Sequence, residues 1–367
     1  SRGLGDVYKR QKYMSLYPKN LTSIITEVYN KAVENGDVIQ FKSTSKYLKT
    51  SNSKEANMKY HLTFCDIDAQ KPVKPEREDN VKTKFDPFIR DEPEFAIINS
   101  LMNDEYKLVL NKFPIVDEHL LLVTKKAIPQ ASLLTPNDLN ASYQLLKALQ
   151  GEDQDDDNDD DEEEEEENAK PKSRHAIFYN CGENSGFSID HKHLQCMKIP
   201  NKLKTFQDFV VQENPEPYIP NVKREALENE AVAFANFTIP LPKKIDDEEY
   251  LVMCYVNLLQ RALSYFQQWE ETDESKRLAP SYSFMMTTDW MSIVPRSSEC
   301  ADIEFEGNTY TMFTNALGYL HMLLFKGGQK ELYDKLLEKK DSTPIEDFLL
   351  KCAFPNNFSA PPAESDY

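Results

Sequence analysis

Residues 180–195 read NCGENSGFSIDHKHLQ and lie between two segments with the composition of β-strands. Residues 175–179 read HAIFY before the stretch, and residues 191–199 read HKHLQCMKI at its end. Short runs of this kind around a cluster of Gly, Asn and Ser are typical of two strands joined by a loop. The stretch therefore predicts a strand-loop-strand unit.

The second of these strands has a polar edge. Residues two apart on a strand share a face, so His191, His193 and Gln195 point to one side. The residues between them point to the other side. The loop at residues 184–188 has the composition of a nest of main-chain amides, because Gly permits positive φ and Ser and Asn supply further donors. A phosphate held there would lie beside the two histidines.

This arrangement indicates chemistry on phosphorus, with two alternatives. Neutral imidazole is a good nucleophile near neutral pH and forms a reactive phosphoramidate. His191 and His193 are also compatible with two partly buried histidines in structural hydrogen bonds. A metal site is the other alternative, but it needs a third ligand, and Gln195 is a poor one. The adjoining Gly/Ser/Asn loop favours nucleotide chemistry.

Helices and strands are predicted on both sides of this unit. We expect a surface loop over residues 70–94, which are rich in Pro and charge. Thr135 and Pro136 have the pattern of an N-cap followed by Pro at the first helical position. The other predicted elements are helices over residues 20–36, 247–267 and 315–325 and from Thr343, and strands over residues 106–110, 119–124, 281–286 and 291–294.

Composition excludes several classes of protein. The chain has 367 residues and a net charge of -19, and residues 152–167 alone contain 14 acidic side chains. Without this run, which we expect to be disordered, the net charge is about -5. No apolar run is long enough for a transmembrane helix, and no Lys/Arg stripe predicts nucleic-acid binding. The six cysteines form no CxxC pair, so we expect reduced thiols in a cytoplasmic protein, with a nuclear location also open.

The first residues do not take part in the fold prediction. Residues 1–11 (SRGLGDVYKRQ) have no apolar pattern, and residues 6–11 back-translate readily into a sequencing-library transposon adapter. We expect residues 1–13 to be an assembly scar and the gene to begin at Met14.

Four separated motifs resemble one known family. Residues 191–195 (HKHLQ) resemble the histidine-triad motif in its transferase form, in which Gln replaces the third His. Residues 180–195 as a whole are similar to fungal diadenosine tetraphosphate phosphorylases, also called ATP adenylyltransferases. Residues 110–123 are similar to the first hairpin of that family, and residues 290–296 (WMSIVPR) and 315–318 (NALG) resemble its C-terminal domain. The resemblance spans roughly residues 14–354.

The resemblance implies a role for individual residues. It makes His193 the nucleophile that accepts AMP, His191 its hydrogen-bonding neighbour and Gln195 a contact of the α-phosphate. The implied substrate-binding residues are Lys71, Asn111, Lys112, Asn180, Ser185, Gly186, Phe187, Ser188, Asn315, Ala316, Leu317 and Met322.

Several of these residues have simpler alternative interpretations. Asn111 and Lys112 also suit a hairpin turn, and Lys71 suits a solvated loop. Asn315 also suits a helix N-cap, and Met322 on the predicted apolar helix suits the core. Arg296, directly after a strand, suits a surface charge.

The predicted fold class is α+β, with a histidine-triad-like antiparallel sheet, flanking helices and a C-terminal α/β region. We expect a catalytic domain over residues 14–220, with the acidic insertion at 151–169, and a C-terminal ATP-adenylyltransferase-type domain over 221–367. The implied activity is phosphorolysis of diadenosine tetraphosphate to ATP and ADP through an AMP-histidine, reversible as adenylyl transfer from ATP to ADP.

The implied ligands are small. We expect dinucleoside polyphosphates, ATP, ADP and phosphate, with Mg²⁺ on the substrate polyphosphate, no dedicated metal site and no organic cofactor. We expect no nucleic acid or membrane partner, and of the possible oligomeric states the monomer is favoured. The alternatives are a phosphate-independent hydrolase of dinucleoside polyphosphates, a hexose-1-phosphate uridylyltransferase and a non-catalytic nucleotide-binding protein.

Overall fold

The computed structural model describes residues 15–51, 58–66, 86–151, 173–219, 226–245, 247–272 and 277–356. Lys71, most of the predicted 70–94 loop, residues 1–13 and nearly all of the acidic insertion lie outside these residues. None of the described helices is long and apolar enough to cross a membrane.

Thirteen strands form the sheets of the described residues. In chain order they are β1 Ser43–Lys49, β2 Lys59–Cys65, β3 Ala96–Leu101, β4 Tyr106–Leu110, β5 Leu120–Thr124, β6 Arg174–Cys181, β7 His193–Ile199, β8 Phe237–Pro240, β9 Tyr282–Met286, β10 Trp290–Pro295, β11 Cys300–Phe305, β12 Asn308–Phe313 and β13 Met322–Phe325. The six strands predicted from sequence agree with β4, β5, β6, β7, β9 and β10 to within two residues at each end.

Eight strands form one large sheet in the order β3-β4-β5-β7-β6-β9-β10-β8. Every neighbouring pair in it is antiparallel. This confirms the predicted α+β class with a central antiparallel sheet. Strands β3 to β7 come from residues 14–220 and β8 to β10 from residues 221–367, so the two predicted parts of the chain share this sheet.

Six α-helices flank the sheets. They are α1 Leu21–Glu34, α2 Pro136–Gln150, α3 Phe206–Glu213, α4 Glu248–Thr272, α5 Lys330–Lys339 and α6 Thr343–Lys351. The predicted start of α2 is confirmed, because the Thr135 hydroxyl accepts from Asp138 N at 3.2 Å and the Asp138 carboxylate accepts from Thr135 N at 2.7 Å. Such a reciprocal cap satisfies two main-chain donors that a helix start leaves free.

Residues 315–325 do not form the predicted helix. Gly318–Leu320 is a single 3-10 turn, His321 takes a left-handed conformation with φ of 60°, and β13 follows. Strand β13 pairs in parallel with β2 in a three-stranded sheet of order β1-β2-β13. A short apolar run suits a buried strand as well as a buried helix, and its partner here lies about 260 residues away.

Two hydrophobic cores lie on the two faces of the large sheet. One contains apolar residues of α1, α2 and α4, and it includes Leu194 and Cys196 of β7. The other contains residues of α3, α5, α6 and β13, and it includes Met197 and Ile199 of β7. The alternation of β7 therefore places His193 and Gln195 on the face that looks toward the second core.

Candidate active site

The two motif histidines lie together at the start of β7. The structure begins this strand at His193, so His191 lies in the approach to the strand and not on it. The Phe88 ring lies 5.5 Å from the His191 ring and 5.2 Å from the His193 ring, measured between centroids. Both imidazoles therefore lie against one aromatic ring, although only His193 is on the strand.

Among the described residues, one ring nitrogen of His193 makes a hydrogen bond and the other makes none. Its Nδ1 lies 2.7 Å from the main-chain oxygen of His191, which can only accept, so Nδ1 carries the proton. Nε2 then has a lone pair, and it makes no hydrogen bond to any described residue. Burial of this side chain, which is 4% exposed, lowers the pKa of His193 to about 4. The ring is therefore neutral near pH 7, as a nucleophile requires.

Lys192, between the two histidines, points to the other side of the sheet. Its Nζ donates to the main-chain oxygen of Leu133 at 2.7 Å and forms an ion pair with the Asp138 carboxylate. Both side chains of this pair are 1% exposed. The pair ties the motif to the first turn of α2.

Gln130 holds the motif strand from the side, a role that the sequence analysis did not find. Its Nε2 donates to the main-chain oxygens of Asn180 and His193 at 3.1 and 3.2 Å, and its Oε1 accepts from His193 N at 2.9 Å. The Tyr179 hydroxyl in turn donates to the Gln130 carbonyl at 2.5 Å. One isolated Gln in an irregular segment has no spacing that would have indicated it.

The predicted phosphate loop has the backbone of an amide nest. Gly186 takes φ of +84°, a left-handed conformation that only Gly adopts readily. Within the described residues, no acceptor receives the main-chain N–H groups of Gly186, Phe187 or Ser188. The Ser185 hydroxyl is not free, because it donates to the Gly182 carbonyl at 2.6 Å. Phe187 is half-buried and Ser188 is exposed.

Three predicted residues of the C-terminal region lie against this loop. Ala316 N donates to Asn180 Oδ1 at 2.9 Å, which leaves Asn180 Nδ2 buried without a partner. The Asn315 side chain accepts from Leu317 N at 3.0 Å and so fixes the turn. A Cβ on Gly186 would lie 2.4 Å from the Thr314 carbonyl oxygen, so the two segments are in close contact.

Met322 and Gln195 differ in their surroundings. Met322 is buried and opens β13, where it pairs with His61. Its predicted place on a helix was therefore wrong, although it does lie in the second core. Gln195 is half-buried on β7 and makes no side-chain hydrogen bond to the described residues. Its amide is available to a ligand.

Arg296 is not the surface charge that its position suggested. It is fully buried, and its guanidinium stacks 4.8 Å from the centre of the Tyr319 ring. It donates to five oxygens, namely those of Ser185, Ser298, Thr314 and Cys352 in the main chain and the Ser283 hydroxyl, at 2.8 to 3.2 Å. Because Arg296 donates to oxygens of both segments, it joins the phosphate loop at residues 184–188 to the turn at residues 314–317.

Asn111 and Lys112 lie further along the same sheet. Strand pairing places Leu110 beside Leu120 and Leu120 beside Cys196, about 10 Å along β7 from His193. Asn111 accepts from Phe113 N at 2.9 Å through Oδ1, and its Nδ2 lies 3.1 Å from His119 Nδ1. Lys112 lies 5.6 Å from the centre of the Phe95 ring. The structure does not bring these two residues into contact with the histidines.

The described residues contain no group of three or more His, Cys, Asp or Glu side chains that could hold a metal ion. The described groups at the site are the neutral imidazole of His193, the carboxamide of Gln195 and the main-chain amides of the loop. A His-x-His-x-Gln segment that leads into a strand of an antiparallel sheet is the arrangement of a nucleotidyltransferase of the histidine-triad class.

Comparisons with known proteins agree with this class and define the family. A model of the Ap4A phosphorylase N-terminal domain matches residues 11–153, and one of the ATP adenylyltransferase C-terminal domain matches residues 230–355. Diadenosine 5',5'''-P1,P4-tetraphosphate phosphorylase 2 of Saccharomyces cerevisiae is 39% identical over 353 residues, which are 95% of this chain and 99% of that protein. The chain belongs to the Ap4A phosphorylase family.

Three further similarities cover nearly the whole chain. Protein APA1 of Saccharomyces cerevisiae is 36% identical over 356 residues, 95% of this chain and 99% of that protein. The crystal structure of yeast Ap4A phosphorylase Apa2 superposes with a TM-score of 0.74 at 36% identity, over 95% of this chain and 99% of that one. The structure of Apa2 in complex with Ap4A gives a TM-score of 0.72 at 36% identity, over 92% and 98% of the two chains.

Proposed function

We propose that this protein phosphorolyses diadenosine tetraphosphate (Ap4A) to ATP and ADP through AMP bound covalently to His193. The same steps run in reverse transfer an adenylyl group from ATP to ADP. The observation that carries the proposal is the state of His193, whose Nδ1 donates to His191 O at 2.7 Å while Nε2 keeps its lone pair. The family relationship supports it, since a relative of 39% identity bears the name Ap4A phosphorylase.

The first step forms a bond from His193 Nε2 to the α-phosphorus of one adenosine. The bond from that phosphorus to the bridging oxygen breaks, and ATP leaves with the electron pair. AMP remains on the ring as a phosphoramidate, which is still reactive. In the second step an oxygen of inorganic phosphate attacks the same phosphorus, the P–N bond breaks, and ADP is released with His193 regenerated.

Charge builds up on the non-bridging oxygens in both steps. The free main-chain N–H groups of residues 186–188 and the unpartnered Nδ2 of Asn180 are donors with fixed positions. Fixed donors stabilise a transition state without reorganisation, and one such donor is worth about 10²–10³-fold in rate. We place Gln195 at the α-phosphate, Lys71 and Ser185–Ser188 at the polyphosphate, and Asn111 with Lys112 toward a nucleoside. Asn315, Ala316, Leu317 and Met322 would close the site from the C-terminal region.

The proposal also covers the metal ion, the cellular location, the partners and the oligomeric state. Mg²⁺ would arrive on the polyphosphate, since this ion prefers phosphate oxygens and water to a protein cage. No organic cofactor has a step to perform. We place the enzyme in the cytoplasm, with the nucleus as the alternative location and free nucleotides as its partners, and we favour a monomer.

Mass spectrometry tests the covalent step directly. The protein is incubated with Ap4A without phosphate, and the wild type is expected to gain the mass of one AMP. His193→Ala should gain none and should lose turnover by at least about 10⁴-fold, because the nucleophile is gone. His175→Ala is the matched control, since this half-buried histidine lies on neighbouring β6, pairs with Lys198 and should leave the adduct intact.

Two outcomes would overturn the proposal. One is near-normal phosphorolysis by His193→Ala, which removes the nucleophile assignment. The other is release of AMP and ATP at the full rate without added phosphate, which identifies a hydrolase. A wild type that binds nucleotide but neither turns over nor forms the adduct would identify a non-catalytic binding protein.

A further inference from the structure

Asp86 forms a buried contact beside the nucleophile that the two chemical steps do not use. Its Oδ2 lies 2.6 Å from His191 Nδ1, and the His191 side chain is completely buried. Its Oδ1 accepts from Phe88 N at 2.9 Å and caps the one-turn helix Pro87–Ile89. Both carboxylate oxygens are therefore engaged, one by His191 and one by the turn that carries Phe88.

The turn after Asp86 covers the motif. Phe88 contacts both imidazole rings, edge-on to His191 at 5.5 Å and tilted against His193 at 5.2 Å. Lys107 on β4 donates to the main-chain oxygen of Phe88 at 2.9 Å. The turn is thus held by the sheet below it and by the Asp86 carboxylate, and its aromatic ring limits the positions that the two imidazoles can take.

His191 faces an acceptor at each ring nitrogen. Its Nε2 lies 2.6 Å from the Thr124 main-chain oxygen, and its Nδ1 lies 2.6 Å from Asp86. A carbonyl oxygen cannot donate, so Nε2 donates to Thr124, and the short contact between Nδ1 and the Asp86 carboxyl group contains one proton. Both ring nitrogens are therefore engaged, and two hydrogen bonds of this length hold the ring in one orientation.

The main-chain carbonyl of His191 connects the fixed His191 ring to the nucleophile, His193. The carbonyl of His191 accepts from Nδ1 of His193 at 2.7 Å, and this bond decides which nitrogen of His193 has the lone pair. A carbonyl that shifts or rotates would release that bond. Nδ1 of His193 has no other acceptor among the described residues, so the tautomer depends on the position of His191.

We propose that Asp86 is a positioning residue of the reaction: by holding the His191 ring at Nδ1 while Thr124 holds it at Nε2, it fixes the carbonyl that presents Nε2 of His193 to phosphorus. The inference rests on the proposed function, because it concerns how the nucleophile is presented. Asp86 acts through His191 and the turn with Phe88, and its effect is expected in the rate and not in binding.

Asp86→Asn is the decisive variant. Asn caps a helix start as well as Asp does, so the turn with Phe88 is kept, but a neutral amide makes a weaker hydrogen bond to His191 Nδ1 than the carboxyl group does. We expect kcat to fall about 10- to 100-fold, because a slightly misplaced nucleophile has this cost, with KM changed less than about threefold. Asp91→Asn, which removes an exposed charge from the same segment, is the matched control and should match the wild type.

Nitrogen NMR of the histidine rings supplies a readout that a purely structural role would not move. The wild type should show a short, strong hydrogen bond at His191 Nδ1, seen as a far-downfield proton signal, and Asp86→Asn should lose this signal. Thermal unfolding of Asp91→Asn should stay close to that of the wild type, and a cooperative transition of Asp86→Asn should show that this variant is folded.

The outcomes separate this inference from the proposed function. If the wild type forms the AMP adduct and Asp86→Asn has the same kcat as Asp91→Asn, the role of Asp86 alone is overturned. A wild-type spectrum without a hydrogen-bond signal at His191 Nδ1 would overturn it as well, and this measurement needs no variant to fold. Failure of the wild type to form the adduct would refute the proposed function, while the NMR result would still report on the Asp86–His191 pair.

Discussion

Lys192 and Arg296 are buried cations on opposite sides of the same site, and they are neutralised in different ways. Lys192 has one carboxylate, that of Asp138, plus the Leu133 carbonyl. Arg296 has no ion-pair partner in the described part of the chain and five neutral oxygens around it. Lys192 ties the histidine strand to one helix, whereas Arg296 ties together four segments that are distant in sequence.

The difference shows two solutions to one physical problem. A buried charge is costly unless it is paired or hydrogen-bonded. An ammonium is a compact charge that one carboxylate can satisfy, whereas the planar guanidinium has five donors and can join several main-chain carbonyls at once. The strand side of the site is held by a pair, and the loop side by a network.

The largest effect is expected for Arg296→Met. It would leave four buried carbonyls and one hydroxyl without their donor, and at about 1 kcal/mol each this lowers the free energy of unfolding by about 5 kcal/mol. Urea denaturation measures the change. Arg261→Met is the control, because that side chain is partly exposed, pairs with Glu228 at 2.9 Å and lies 5.6 Å from the centre of the Phe237 ring, contacts worth at most about 1 kcal/mol each. Equal effects of the two variants would contradict a buried network.

Lys192→Met should come next, at about 3–4 kcal/mol of unfolding free energy, because it leaves the Asp138 carboxylate buried without its cation. Adding Asp138→Asn should recover part of this loss, since no buried charge then remains, the Asn oxygen still accepts from Thr135 N, and its NH2 group can donate to the Tyr106 hydroxyl. A double-mutant cycle by urea denaturation checks the coupling. Strictly additive losses would show that the two side chains do not act as a pair, and the comparison with Arg296 would fail.

Gly186→Ala has the smallest of the three effects and probes the loop side alone. The left-handed conformation costs Ala about 1–2 kcal/mol, and the new Cβ would lie 2.4 Å from the Thr314 carbonyl oxygen. We expect about 2–3 kcal/mol less stability and a reduced kcat, because the amides of the loop move.

Gly36→Ala is the control for that variant. Gly36 has a similar φ of +76°, but a Cβ there would meet no atom within 4 Å. It should lose about 1 kcal/mol of stability, as the backbone conformation alone requires, and keep full activity. The same loss for both glycines would show that the close approach to Thr314 does not matter.

The motif strand was predictable because its information is local. Alternation over a few residues is enough to place His193 and Gln195 on one face, and the cap at Thr135 is defined by its neighbours along the chain. The resemblance to the family also depended on contiguous motifs. Gln130, Asp86 and Phe88 were missed, because each reaches the histidines from an irregular segment with no periodicity to indicate it.

The apolar segment before Phe325 shows where local information ends. Its composition suits helix and strand equally, and it forms a strand because it pairs in parallel with the edge of β2. Asn315 does fix a turn, as its residue type allows, but the turn leads into a strand. The same applies to Arg296, since the residue after a strand is exposed or buried according to what packs over it.

By itself, the sequence determined the secondary structure around the site, the face that carries the histidines and the family to which the chain belongs. Only the tertiary structure decided that Arg296 is buried, that β13 is a strand and that Asp86 lies on His191. The physical reason is the range of the interactions involved. Dihedral preferences, caps and alternation act within a few residues, whereas the satisfaction of a buried charge or a strand edge depends on partners up to 260 residues away.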